Sequence, residues 1–188
     1  MKEIRWHGRG GNGAFTAARL LALAASVYGG RYAQAFPSFG PERRGAPVLG
    51  FTRIDDSPIR DHSEVTDCDC VIVLDETLIN VTEVRRGLRA DGTMVINSAK
   101  SEEEFKKNAN FSGVENLTVL DATAIALDIL KSPIVNTVML GAVVAATDLI
   151  DVTDAEKAIE ELMPKHLTVP NKLALRAAYD KVRKGQRR

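Results

Sequence analysis

The stretch Gly8-Arg9-Gly10-Gly11-Asn12-Gly13 stands between a short extended segment, residues 3–7, and a long apolar run, residues 14–28. Glycines at its first, third and sixth positions let the backbone turn tightly, approach a ligand or a partner closely, and enter a helix. The free N–H groups at the start of such a helix favour an anion. This order of strand, glycine loop and helix predicts the start of a Rossmann-like α/β fold.

The glycine spacing alone does not identify the ligand. A dinucleotide site needs an acidic residue about 20 positions further on to bind the ribose hydroxyl, but residues 30–40 contain none and Glu42 is the first. The first strand, Ile4-Arg5-Trp6-His7, also alternates, whereas a covered central strand reads as a continuous apolar run. A stand-alone NAD(P)-binding oxidoreductase is therefore an alternative. A scaffold whose glycines only allow close packing of the helix on its strand is another.

The rest of the chain alternates strands and helices. The β-rich runs predict strands at residues 32–36, 48–54, 71–74, 94–96 and 117–120. Asp91-Gly92 predicts a turn before one of these strands, Ser101 and Glu104 predict a capping box, and Asp121 predicts an N-cap. After Pro133, the cap and periodicity signals predict helices at residues 136–149, 154–163 and 171–184.

These elements predict one domain spanning residues 1–188, of the α/β class. We expect three layers around a doubly wound, mostly parallel sheet, with a Rossmann-like strand, glycine loop and helix at the start and a helical C-terminal part. A hydrophobic content of 45% in 188 residues is enough for one sizeable core.

The number and distribution of charged residues indicate which kinds of partner the chain can bind. The 25 basic and 25 acidic residues balance, which argues against a nucleic-acid binder. Residues 1–60, however, carry nine Lys or Arg against four acids, so the glycine-loop end suits a phosphate-bearing ligand or an acidic partner. The start Met1-Lys2-Glu3 has no signal peptide and no apolar run reaches membrane-spanning length. The sequence therefore predicts a cytoplasmic protein with no membrane contact.

The residues that usually carry chemistry form no complete set. Cys68 and Cys70 alternate beside an apolar run, which predicts two buried, reduced thiols on the same face of a strand. Two cysteines cannot hold a four-cysteine iron–sulfur cluster, and the three histidines lack zinc spacing, so we expect no metal on this chain. There is no Gly-x-Ser-x-Gly elbow, and Gly13 is followed by Ala14 rather than Lys. We predict no catalytic residue here, which favours a binding module or one subunit of a larger active site.

A second unusual stretch, residues 34–47, mixes two Phe, three Pro and an Arg pair. Aromatic residues and Arg are enriched at interface cores, and a guanidinium can bind a carboxylate or phosphate with two hydrogen bonds. We therefore expect this stretch to contact another chain. The alternative is a self-packed loop whose two arginines face water. The predicted interface residues are Phe36, Phe39, Pro41, Glu42, Arg43 and Arg44.

Together, the glycine stretch and residues 34–47 resemble the gamma subunit of pyruvate:ferredoxin oxidoreductase and related 2-oxoacid:acceptor oxidoreductases. Residues 136–142 and Pro170-Asn171 match the same family, so the resemblance spans almost the whole chain. One departure is Asn12, where the family commonly has Gln. Asn keeps the amide but shortens its reach, which affects any contact specific to the longer side chain.

The resemblance implies a subunit of an enzyme complex that decarboxylates a 2-oxoacid, with pyruvate favoured, on thiamine diphosphate and Mg. Electrons pass through iron–sulfur clusters to ferredoxin, and the acyl group passes to coenzyme A. In the family, thiamine diphosphate lies between the alpha and beta subunits, and the clusters lie on beta or delta. Consistent with this, Asp91 follows Ala90, so this chain lacks the Gly-Asp-Gly magnesium motif.

The gamma role implied for this chain is to complete the assembly and to form part of the coenzyme A surface, with the isolated chain inactive. Its positively charged N-terminal third suits the phosphates of coenzyme A. The candidate cofactor-binding residues are Gly8, Arg9, Gly10, Gly11, Asn12, Gly13, Arg43 and Arg44.

Overall fold

The computed structural model describes residues 1–38, 45–108 and 110–186. Within these ranges a six-stranded sheet has the order β2-β3-β1-β4-β5-β6. The strands are β1 Lys2–Arg9, β2 Tyr32–Pro37, β3 Pro47–Asp55, β4 Cys68–Val73, β5 Leu88–Asn97 and β6 Asn116–Leu120.

The sheet is mostly parallel. Strands β1, β4, β5 and β6 pair in parallel, whereas β3 is antiparallel to both of its neighbours, β1 and β2. The predicted α/β class is confirmed, and so is the strand, loop and helix start. The position of β3 departs from a dinucleotide-binding sheet, in which the second strand pairs directly with the first.

Helices follow the strands and fill the C-terminal third. They are α1 Ala14–Leu23, α2 Glu102–Lys106, α3 Ala122–Ile129, α4 Asn136–Thr147, α5 Val152–Leu162 and α6 Lys165–Gln186. Helix α1 continues into a π-helical turn, Ala24–Tyr28, and a 3-10 helix spans Glu76–Asn80. The predicted capping box of Ser101 with Glu104 is confirmed, and so is the N-cap of Asp121, which accepts the Ala124 N–H at 2.8 Å. Among the described helices, none combines the length and apolar character needed to cross a membrane.

One side of the sheet, which we call the helix face, carries the main apolar core. Ile4, Trp6, Ile72 and Val95 project there and pack with residues of α1, α3, α4, α5 and α6. Helices α4 and α6 approach closely, because a Cβ on Gly141 would lie 2.1 Å from the Leu175 carbonyl oxygen. Helix α4 is buried over most of its length, as expected for a helix that is apolar nearly all round.

The opposite side, which we call the loop face, has a thinner cover. The 3-10 helix, the connection 81–87, α2 and residues 110–114 pack on β4 and β5 there. Phe105 and Phe111 meet edge to face, with ring centroids 5.5 Å apart. Towards β1 and β3 this face becomes polar.

Two local predictions about β4 and β5 are wrong. Asp91-Gly92 makes no turn ahead of the strand but lies inside β5, where pairing jumps from Cys68 with Leu88 to Cys70 with Thr93. The same irregularity rotates Cys68 relative to Cys70. Cys68 packs in the core of the loop face and Cys70 in that of the helix face, so the two thiols do not share a face, although both are buried.

The predicted starts of the last two helices are also wrong. Helix α5 starts at Val152, where the Asp151 carboxylate accepts the Thr153 N–H at 2.9 Å. Helix α6 starts at Lys165 and runs through Pro170, so Asn171 lies inside the helix. The Asn171 side chain is buried and accepts a hydrogen bond from the Thr137 hydroxyl at 2.7 Å, so it connects α6 to α4.

Candidate functional site

The glycine loop connects β1 to α1 in a backbone conformation that requires glycine. Gly11 has a φ of 100° and Gly13 a φ of 76°, both in the left-handed region. A Cβ on Gly13 would lie 2.7 Å from Asn136 Nδ2, so the loop packs directly on the start of α4. Among the described residues, no atom lies within 4 Å of a Cβ placed on Gly11, and no side chain caps the N-terminus of α1. The first N–H groups of α1 are therefore left without a side-chain cap, and such groups favour an anion.

A crevice of about 660 Å³ lies in front of this loop. It sits at the carboxyl ends of β1, β4 and β5. This is the switch point of the sheet, because β2 and β3 lie on one side of β1 and β4, β5 and β6 lie on the other. Open α/β sheets bind ligands at such a switch point. Its polar wall consists of Asn12, Asp75, Glu76, Asn97, Ser98, Asp121 and Thr123.

The wall of the crevice is held by buried hydrogen bonds. Asn97 donates from Nδ2 to the Leu74 carbonyl at 2.9 Å, and its Oδ1 accepts the Ala122 N–H at 3.0 Å. These bonds fix the end of β4 and the start of α3 to the end of β5. Glu76 accepts a hydrogen bond from the Ser98 hydroxyl. The crevice is therefore preformed.

Arg9 holds the glycine loop to its neighbours. Its guanidinium donates to the Asp75 carboxylate at 2.9 Å, the Thr77 hydroxyl at 2.7 Å and the Gly45 carbonyl at 2.9 Å. Burial alone would raise the pKa of Asp75, but the hydrogen bonds from Thr77 and Arg9 lower it overall. Asp75 is thus a carboxylate near neutral pH, paired with Arg9.

The two sequence motifs meet at this site. The Gly10 N–H donates to the Ala46 carbonyl at 2.9 Å, and the Gly10 carbonyl accepts the Gly45 N–H at 3.2 Å. The end of residues 34–47 therefore lies against the glycine loop. Phe36 is partly buried, with its ring 5.2 Å from that of Phe51 and 5.3 Å from the Arg53 guanidinium carbon.

The other predicted residues of this stretch fall outside the described part of the chain. They are Phe39, Pro41, Glu42, Arg43 and Arg44. Their roles at an interface or at coenzyme A stay predictions.

Both cysteines are free, buried thiols. Burial raises the pKa of Cys68 to about 11 and also raises the pKa of Cys70. Neither provides a thiolate near neutral pH, so neither suits a nucleophile or a metal ligand. In the part of the chain that the structure describes, there is no group of three or more His, Cys, Asp or Glu side chains that could hold a metal ion.

Sequence reasoning missed two polar residues of β1 that point to the loop face, Arg5 and His7, although both are buried. Arg5 donates from Nε to His7 Nε2 at 3.0 Å and from Nη2 to the Val84 carbonyl at 3.2 Å. The polar and apolar alternation of β1 was the available signal. It indicated that the two sides of this strand have different environments.

Comparison with known proteins supplies the family. The family model for pyruvate ferredoxin/flavodoxin oxidoreductase matches residues 3–181. The chain belongs to this family. The predicted resemblance is therefore confirmed over almost the whole chain.

Relatives of similar length are gamma-type subunits of such oxidoreductases. The chain is 47% identical over 181 residues to the "pyruvate/ketoisovalerate oxidoreductases common subunit gamma" of Pyrococcus furiosus, covering 96% of this chain and 97% of the relative. It is 49% identical over 185 residues to "pyruvate synthase subunit PorC" of Methanothermobacter thermautotrophicus, covering 98% and 97%. The crystal structure of the pyruvate oxidoreductase subunit PORC of Thermotoga maritima aligns with a TM-score of 0.80 at 41% identity, covering 95% of each chain.

These similarities confirm the predicted function as a gamma-type subunit of a 2-oxoacid:ferredoxin oxidoreductase. They agree with the geometry, because antiparallel β3 lies beside β1 where a dinucleotide-binding fold has its parallel second strand. The alternative of a stand-alone NAD(P)-binding enzyme has no support from the sheet or from these relatives.

Proposed function

We propose that this chain completes a cytoplasmic pyruvate:ferredoxin oxidoreductase together with alpha and beta subunits, and with a delta subunit where the clusters have a separate carrier. Those partners supply thiamine diphosphate, Mg and the iron–sulfur clusters. This chain contributes the glycine-loop crevice, which forms part of the surface that receives coenzyme A. The observation that carries the proposal is the free N-terminus of α1 behind an open glycine loop, at the switch point of the sheet.

Residues in the described crevice suit binding better than catalysis. Asp75 is paired with Arg9, Asn97 is engaged with backbone, and the two thiols lie buried in the sheet. The groups that can donate to an anion here include the uncapped N–H groups at the start of α1 and the side chain of Asn12, which is partly exposed. These groups favour an anion such as a phosphate of coenzyme A, without supplying a nucleophile or a redox group.

Within the crevice, the candidate residues divide into two roles. Gly11 and Gly13 present the backbone that would approach a phosphate, and Asn12 offers its side chain, whereas the N–H groups of Gly10 and Asn12 already donate to the Ala46 and Arg9 carbonyls. Arg9 donates to Asp75, Thr77 and Gly45, so we assign it to holding the loop. Arg43 and Arg44 belong to the stretch that ends beside the loop, and we propose them as further phosphate contacts.

The choice of 2-oxoacid is proposed to lie with the partner subunits. The Pyrococcus relative is named as a subunit common to pyruvate and ketoisovalerate oxidoreductases, so in that organism one gamma chain serves both. We favour pyruvate for the present chain because its residues at Trp6-His7 and at positions 34–37 resemble those of pyruvate-type gamma chains.

The coenzyme A surface is tested with Asn12→Asp in a reconstituted complex. A carboxylate at the N-terminus of α1 stabilises the helix but competes with a phosphate for the same N–H groups. We expect the KM for coenzyme A to rise about tenfold, with the KM for pyruvate unchanged. The matched control is Asn80→Asp, the same change at an exposed position on the loop face.

An unchanged KM for coenzyme A in an intact Asn12→Asp complex would remove the glycine loop from the proposal. Arg43→Ala and Arg44→Ala are measured in the same assay. If these two changes raise the KM and Asn12→Asp does not, the coenzyme A surface lies on residues 34–47 alone.

A further inference from the structure

A second cleft, of about 770 Å³, lies on the loop face and is separate from the glycine-loop crevice. Arg5 and His7 of β1 line its floor, together with Leu49 of β3. The connection 81–87 and residues 64–67 form its rim. Neither the family match nor the glycine motif assigns a role to this cleft.

Arg5 is a buried cation without an anionic partner among the residues that the structure describes. It is 7% exposed, and no carboxylate of a described residue lies within ion-pair distance of it. Its hydrogen bonds go from Nε to His7 and from Nη2 to the carbonyls of Val84 and Arg86. The Nη1 group has no hydrogen-bond partner among the described residues. A buried guanidinium with no counter-ion is costly, which is a reason to expect an anion from outside.

A neighbouring buried arginine on the same face, Arg53, is paired with carboxylates, as buried cations usually are. Arg53 is 1% exposed and lies 2.9 Å from the Glu3 carboxylate and 3.6 Å from that of Asp61. The described residues therefore supply carboxylates to one buried arginine of the loop face and none to the other. Arg5, unlike Arg53, borders a cleft large enough to admit a ligand group.

His7 adds a second hydrogen-bond donor. Because Nε2 accepts from Arg5, the ring proton of the neutral imidazole is on Nδ1. Burial, and secondarily the charge of Arg5, lower the pKa of His7 to about 3, so the ring is neutral at physiological pH. Gln34 Oε1 is the one fully buried side-chain N or O atom without a hydrogen-bond partner among the described residues. His7 Nδ1 and Arg5 Nη1 also lack a partner there, so they are not fully buried, and both residues line the cleft.

We propose that the loop-face cleft binds a carboxylate group, which accepts hydrogen bonds from Arg5 Nη1 and His7 Nδ1. A single negative charge neutralises the one buried guanidinium. Among the described residues, three carboxylates line the cleft, those of Glu64, Asp67 and Glu83, and Arg86 is the one cation besides Arg5. None of these four forms an ion pair within the described chain. The three carboxylates disfavour a phosphate dianion, whereas a carboxylate monoanion meets less repulsion.

The carboxylate has two chemical sources, a small free molecule or the acidic side chain of a partner subunit. The first is tested on the isolated chain by following the His7 ring resonances during an acetate titration. We expect the chemical shifts of the His7 ring to change with acetate and to saturate. The rings of His62 and His166 serve as references. Chloride at equal ionic strength is the control and should give no saturable change. Inorganic phosphate should bind more weakly than acetate. A stronger response to phosphate would overturn the assignment to carboxylates.

Variants then connect the response to Arg5. Arg5→Gln should weaken acetate binding about tenfold or more, because it removes a charged donor. The control Arg86→Gln removes an exposed charge from the rim of the same cleft. It should weaken acetate binding by less than about threefold, which is half of the Arg5→Gln effect on a logarithmic scale. If Arg5→Gln does not fold, the titration of wild-type His7 still decides, because it needs no variant.

The second source is tested in the assembled complex, and this arm rests on the proposed function. Here Arg5→Gln should weaken association with the partner subunits about tenfold, Arg5→Lys should restore part of it, and Arg86→Gln should leave it near wild type. A response in either arm supports the site and identifies the source. A His7 ring unaffected by acetate, together with normal assembly of Arg5→Gln, would overturn the proposal. The Asn12→Asp measurement is independent, so the coenzyme A surface and this site can fail separately.

Discussion

The two faces of the sheet differ in how far the buried polar side chains of β1 are hydrogen-bonded. On the helix face, the Trp6 indole donates to the Thr52 hydroxyl at 3.1 Å, and Thr52 donates to the Ala18 carbonyl at 3.0 Å. On the loop face, Arg5 and His7 flank Trp6 in the same strand, yet each keeps one N–H group open to a cleft. Alternate residues of β1 thus complete a core on one side and leave hydrogen-bonding capacity on the other. We infer that the helix face stabilises the chain and that the loop face and the glycine-loop edge recognise other molecules.

The largest expected effect comes from the helix face. Gly141→Ala places a Cβ 2.1 Å from the Leu175 carbonyl oxygen, a backbone atom that cannot rotate away. We expect a loss of about 4 kcal/mol in the free energy of unfolding, measured by urea denaturation. The control is Gly185→Ala in α6, whose Cβ meets no atom within 4 Å. A near-neutral Gly141→Ala would show that the helix face is not closely packed.

The second prediction compares the two buried arginines of the loop face. Arg53→Met breaks an ion pair with Glu3 and should cost about 3 kcal/mol in unfolding free energy. Arg5→Met should cost only about 1 kcal/mol, since losing its hydrogen bonds is partly offset by removing an unpaired buried charge. Urea denaturation of both variants checks the order. A larger loss for Arg5→Met would mean that Arg5 is purely structural.

The third prediction concerns pH and His7. The folded-state pKa of His7 is about 3, below the ordinary value of 6.5, so the unfolded chain binds a proton first as the pH falls. The folded state should therefore lose stability from about pH 6.5 downward, by about 2 kcal/mol at about pH 5. This loss should be absent in His7→Gln and kept in His166→Gln, where the histidine is exposed. Equal pH dependence in wild type and His7→Gln, measured by urea denaturation at each pH, would contradict the buried neutral imidazole.

The smallest expected effect is at the cap of α2, which covers part of the loop face. The Ser101 hydroxyl accepts the Glu104 N–H at 3.2 Å, and the Glu104 carboxylate accepts the Ser101 N–H at 2.8 Å. Ser101→Ala should reduce the unfolding free energy by about 1 kcal/mol. The exposed Ser57 provides the control variant Ser57→Ala, which should be close to neutral. A neutral Ser101→Ala would indicate that α2 adds little to the cover of the loop face.

Sequence patterns predicted several features of the fold that depend on local chemistry, although Asp91-Gly92 lies inside β5 rather than in a turn. The glycine loop, the capping box at Ser101 and the cap at Asp121 each involve residues within a few positions of one another. The limits of α6 could not be predicted in this way, because Pro170 is a strong local stop signal that tertiary packing overrides. Asn171 is inside that helix since its side chain bonds to Thr137 of α4.

The site was predictable in part for a similar reason. The open glycine loop follows from glycine spacing, but its contact with Gly45 and Ala46 depends on the antiparallel pairing of β3 with β1, which no local pattern specified. The environment of Arg5 and His7 depends on the connection 81–87, far away in sequence. Alternation in β1 showed that one side would be polar, and the structure shows that this polar side is nevertheless buried.

Reconstitution tests the central claim most directly, namely that this chain is an incomplete active site that functions only with its partners. Pyruvate- and coenzyme A-dependent reduction of a viologen acceptor is measured for the isolated chain, for the partner subunits alone, and for the two combined. We predict no turnover from the isolated chain, little from the partners alone, and full activity after recombination. Turnover by the isolated chain, or full activity of the partners without it, would contradict the account.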